Sequence, residues 1–85
     1  MKYELVLKRE AAKYLGGLDK PTRLRIKKAL ESLSKSPPEG DIVPMKGMED
    51  WFRLRVGSFR IIFRVDDEEQ RIIIASIGPR GDIYK

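Results

Sequence analysis

The chain contains no cysteine and no histidine. Without cysteine there is no disulfide framework and no thiol nucleophile. Without histidine, the side chain whose ordinary pKa lies near neutrality is missing. Together these absences remove the usual zinc ligands, so neither a metal nor a cofactor is expected. Apolar runs are short, and none approaches the roughly 20 residues of a membrane span. The opening MKYELVLKRE is charged throughout and has no apolar signal core, so no membrane association and a cytoplasmic location are expected.

What is present is charge. The 85 residues support one domain, 1–85, with a small core. Hydrophobic residues make up 41% and charged residues 36%, a globular rather than disordered balance. Lysine and arginine outnumber aspartate and glutamate by 18 to 13, a net +5 that suits nucleic acid or an acidic protein as partner.

Lys2 to Leu7 alternates around Tyr3, Leu5 and Leu7 and reads as a first strand with those residues on its core face. Lys8 to Leu15 carries Ala11, Ala12 and Leu15 at helical spacing and ends at Gly16-Gly17. Asp19 is placed to cap a second helix with Pro21 in its first turn; Ile26, Ala29, Leu30 and Leu33 form its apolar stripe. Ser34 to Asp50, with Pro37-Pro38, Gly40, Pro44 and Gly47, reads as a long loop tethered by Ile42, Val43, Met45 and Met48. Asp66 to Glu69 reads as a solvated acidic turn. Arg71 to Ile77, apolar on both faces at Ile72-Ile73-Ile74, reads as a central strand broken by Gly78-Pro79. The expected fold is α+β, in the order β-α-α-β-β-β. Its small antiparallel-dominated sheet of about four strands is covered on one face by the N-terminal helical hairpin.

Trp51 to Arg64, WFRLRVGSFRIIFR, is the most informative stretch, with four arginines and no carboxylate. With Gly57-Ser58 as a two-residue turn it forms a β-hairpin in which Val56 faces Phe59, Arg55 faces Arg60 and Arg53 faces Ile62. Alternation puts Phe52, Leu54, Val56, Phe59, Ile61 and Phe63 on one face. Trp51, Arg53, Arg55, Arg60, Ile62 and Arg64 fall on the other. Like charges directly opposite are destabilising, so Arg55 across from Arg60 calls for an external anion. Guanidinium groups on a rigid sheet suit phosphate oxygens.

The ordered pattern WFRLRV, GSFRIIFRV and RIIIASIGPRGDIY, with Lys46-Gly47-Met48 ahead of it, resembles the RelE/ParE superfamily of type II toxin–antitoxin toxins, and the likeness spans the whole chain. The RelE branch implies a ribosome-dependent mRNA endoribonuclease (mRNA interferase) that cuts translated mRNA in the A site. Carried over by position, the resemblance implies catalytic roles for Arg53, Arg55, Arg60, Arg80 and Tyr84. RNA contact falls to Arg64, Trp51 and Lys46. Arg64 also lies near the acidic turn, and Trp51 has the size either to pack on the hairpin rim or to hold a base. Implied partners are a RelB-like acidic antitoxin covering the helical hairpin, the ribosome with its rRNA, and mRNA.

The chemistry agrees. Attack by a 2′-hydroxyl needs no metal; it needs a deprotonated nucleophile, stabilisation of the phosphorane charge and a protonated leaving oxygen. Arg53, Arg55 and Arg60 suit the second role. Arg80 would bind the scissile phosphate or assist the leaving group, and Tyr84 offers a stacking platform. Arginine is effectively always charged, so none of these supplies a general base. Asp82, Glu49, Asp50 and Tyr84 are the candidates, and dependence on the ribosome for alignment is expected. Two other readings stay open: a gyrase inhibitor of the ParE branch, and a decayed toxin retaining only RNA or antitoxin binding.

Overall fold

The computed structural model describes residues 3–34 and 40–79. Its elements are β1 (Glu4–Leu7), α1 (Arg9–Gly16), α2 (Lys20–Leu33), β2 (Asp41–Pro44), β3 (Trp51–Val56), β4 (Phe59–Asp66) and β5 (Arg71–Pro79). The five strands form one sheet in the order β1-β5-β4-β3-β2. β1 runs parallel to β5, and the other pairings are antiparallel. The expected α+β fold is present, with one strand more than expected.

The additional strand is β2, which lies within the segment read as a loop. Ile42-Val43 is β-branched and sits between Gly40 and Pro44; proline is tolerated there because β2 is an edge strand. Ile42 packs against the core, whereas the Met48 side chain is 46% exposed. Gly40 has φ +136°, and a Cβ on it would lie 2.8 Å from Leu54 Cδ1, so only glycine leads the chain into β2.

α2 begins as its sequence dictates. Asp19 accepts hydrogen bonds from the Thr22 hydroxyl at 3.0 Å and the Thr22 backbone N–H at 3.3 Å. Those bonds, the hydroxyl's foremost, hold its carboxyl below the ordinary value. Ile26, Leu30 and Leu33 are buried against the sheet beside Ala11 and Leu15 of α1. Leu54, Ile61, Phe63, Ile72, Ile74 and Ile77 meet them from β3, β4 and β5. Phe52 and Phe63 are cross-strand partners with ring centroids 5.6 Å apart, stacked within 22°. β5 is an interior strand between β1 and β4, with Ile72 and Ile74 at 0% exposure.

The acidic turn is more than solvated. Tyr3 donates its hydroxyl to Asp67 Oδ1 at 2.6 Å, and Asp66 Oδ1 accepts the Glu69 N–H at 3.2 Å. These bonds fasten the start of β1 and close the β4–β5 connection.

Candidate RNA-binding face

The hairpin has the expected register: Val56 pairs with Phe59, Arg55 with Arg60, and Arg53 with Ile62. Gly57 supplies the positive φ, +57°, at the turn. The helices cover the apolar face, and the arginines line the face they leave open. Because side chains alternate, the pairings define rows across that face. Asp41, Arg55, Arg60 and Gly78 form one row; Val43, Arg53, Ile62 and Ser76 form the next; Trp51, Arg64 and Ile73 form a third. The β4–β5 register shifts between Ile62 and Phe63, which keeps Ser76 and Gly78 on the arginine face.

The arginines differ in their partners. Arg55 is held in a fork: its Nε donates to Asp41 Oδ2 at 3.0 Å and its Nη2 to Asp41 Oδ1 at 3.2 Å. The expectation that Arg55 lacks a counter-ion within the chain is therefore overturned. β2, read as loop, brings Asp41 beside it. Arg64 and Arg71 each approach Asp66 Oδ2 at 3.9 Å, which ties Arg64 to the acidic turn. Arg53 and Arg60 are half-buried, and their Nε atoms are buried with no hydrogen-bond partner among the described residues. An unmet buried donor is costly; Arg71 Nε shares that condition at the far end of the sheet, so Arg53 and Arg60 are the two within the hairpin that call for a bound anion. The Arg60 guanidinium reaches over β5, its Nη1 lying 3.8 Å from where a Gly78 Cβ would stand.

The other assigned residues spread out from this cluster. Trp51 is half-buried opposite Arg64. Lys46 is exposed in the turn after β2. Glu49 and Asp50 sit in the connection leading to β3, about 13 Å or more along the strand from Arg55 at ~3.3 Å per residue. That distance removes them as bases for chemistry at the Arg55–Arg60 row. Arg80, Asp82 and Tyr84 lie outside the described residues. Asp41 is the site residue that sequence reasoning missed, and its signal was the short β-branched pair between glycine and proline. Among the described residues no cluster of three or more Asp, Glu, His or Cys could hold a metal ion. No described helix is long and apolar enough to cross a membrane.

An α+β sheet with one arginine-lined open face and two helices on the other defines the class of small toxins to which the sequence points. The sequence matches the family model of the ParE toxin of type II toxin–antitoxin systems (parDE) over residues 5–84. The chain belongs to this family, within the RelE/ParE superfamily. The protein named RelE1 in Methanocaldococcus jannaschii is 30% identical over 88 residues, covering 100% of this chain and 98% of the relative. RelE in the archaeal RelE–RelB complex of Pyrococcus horikoshii superposes with a TM-score of 0.80 at 28% identity, covering 95% of this chain and 98% of that one. The isolated RelE toxin of Escherichia coli gives 0.79 at 25% identity, over 91% and 83% of the two chains.

Proposed function

We propose that the protein is a RelE-type mRNA endoribonuclease toxin: it cuts translated mRNA in the ribosomal A site by metal-independent 2′-hydroxyl attack and so arrests translation in the cytoplasm. The observation that carries this reading is the pair of half-buried arginines, Arg53 and Arg60, whose Nε donors find no partner within the described chain. Fixed cations aimed at a phosphate stabilise the charge that builds on it during attack. Arg80 and Tyr84 complete the proposed catalytic set. Arg64, Trp51 and Lys46 guide the strand towards it. With no arginine able to act as base, alignment by the ribosome makes up for weak proton transfer, and free RNA is cut slowly. A RelB-like acidic antitoxin restrains the toxin, and the net +5 charge speeds their encounter.

Mapping of mRNA ends in a purified translation system tests this. Wild-type protein should cut within codons at stalled A sites. Arg60→Ala and Arg53→Ala should each lose about 10²–10³-fold in rate, the scale of removing one preorganised charge-stabilising donor. Intact mRNA with wild-type protein would end the reading. The match to a ParE family model favours gyrase inhibition as the second reading; arrest of DNA supercoiling by the same preparation would then support it.

A further inference from the structure

Attack by a 2′-hydroxyl requires an acceptor for its proton, and guanidinium groups cannot take it. This inference rests on the endoribonuclease reading and deepens it. Among the described strand residues, the open face carries three carboxylates: Glu4, Asp41 and Asp66. Glu4 and Asp66 share a row with Arg71 at the far end of the sheet. Asp66 lies six residues along β4 from Arg60, about 20 Å at ~3.3 Å per residue. Its oxygens are also occupied by the Glu69 N–H and by two arginines. Asp41 alone of the three lies in the row of Arg55 and Arg60.

The Asp41–Arg55 pair is poorly explained by stability. Both side chains are well exposed, at 54% and 41%. A pair so exposed contributes only about 0–1 kcal/mol. The geometry instead fixes a carboxylate: Arg55 Nε and Nη2 each take one lone pair, at 3.0 and 3.2 Å, and leave a second on each oxygen.

We propose that Asp41 is the general base, held in place by Arg55. The 2′-hydroxyl oxygen attacks the adjacent phosphorus while its proton passes to an Asp41 oxygen. The bond from phosphorus to the 5′-oxygen breaks. The products are a 2′,3′-cyclic phosphate and a 5′-hydroxyl, whose oxygen is protonated from water. Asp41 then returns its proton to solvent. Arg55 thus acts through Asp41, and Arg53 and Arg60 are left to stabilise the phosphorane.

The test is single-turnover cleavage of ribosome-bound mRNA as a function of pH, with wild type, Asp41→Asn and Asp41→Glu. Asp41→Asn keeps an oxygen for Arg55 and, at a position 54% exposed, should leave the fold intact. It should bind programmed ribosomes like wild type and cut about 10²–10⁴-fold more slowly, the usual contribution of general-base catalysis. Wild type should slow towards acid pH, as an essential carboxylate demands. Asp41→Asn should be level over that range, and Asp41→Glu should restore the acid limb. An Asp41→Asn protein that cuts as fast as wild type, or is slower yet keeps the acid limb, overturns the assignment. Wild-type protein that never cuts overturns the endoribonuclease reading and this assignment with it.

Discussion

Gly40 stands at φ +136° with the Leu54 side chain 2.8 Å from where its Cβ would be. Gly40→Ala therefore meets both a disfavoured backbone and a fully buried neighbour. The cost should be about 1–3 kcal/mol, read by urea unfolding. At the other end of the fold, Tyr3 donates to Asp67, and that hydrogen bond, then burial, then the adjacent charge raise its phenol above the ordinary 10.0. A folded pKa above the unfolded one means that the bond's contribution is complete below the unfolded value and is lost as pH rises through the folded value. Thermal melts of wild type should therefore fall faster above about pH 10 than those of Tyr3→Phe, and parallel curves would show that the bond contributes nothing. Both residues were visible as letters without their reasons. A glycine before a β-branched pair and a tyrosine near the N-terminus declare no partner until the sheet brings one.

The hairpin of β3 and β4 was legible almost completely. Its period-two pattern sorts apolar from charged residues in one register, and a slip by one residue would bury Arg53 and Arg60 among the helices. The helical pair was equally clear, because Asp19 with Pro21 signals a start and Ile26, Leu30 and Leu33 signal a face. β2 was hidden, since four residues are too few to show a period and glycine and proline around them read as loop. With β2 hidden, Asp41 falls in a loop and Arg55 reads as an uncompensated cation. The packing at the hairpin's centre sets a stability contrast. Phe63, 1% exposed and stacked on Phe52, should cost about 3–5 kcal/mol when changed to alanine. Leu24, 53% exposed on α2, should cost within about 0.5 kcal/mol for the same change. Urea midpoints at equal slope would measure both, and a costly Leu24→Ala would mean that α2 packs on its outer side as well.

Charge is the property of the whole molecule that the function must use, and its placement matters more than its sum. The +5 total does not say which cations meet a phosphate backbone. The structure divides them: Arg55 is neutralised by Asp41 and Arg64 is near Asp66, whereas Arg53 and Arg60 keep buried donors without a partner among the described residues. For single-stranded RNA, log affinity falls with log salt at a slope of about −0.7 per phosphate neutralised. Arg53→Ala and Arg60→Ala should each make that slope shallower by about 0.7, measured by fluorescence anisotropy with a short RNA at several salt concentrations. Removing the neutral pair together, Asp41→Asn with Arg55→Gln, takes away one charge of each sign and should leave the slope unchanged. If Asp41 is the base, the same double variant should cut at least about 10²-fold more slowly. A molecule that binds RNA with wild-type salt dependence yet cuts it so slowly would separate the cations that hold the phosphate from the pair that moves the proton. A double variant whose slope drops by a full contact would instead show that Arg55 grips the backbone directly and that Asp41 merely tempers it.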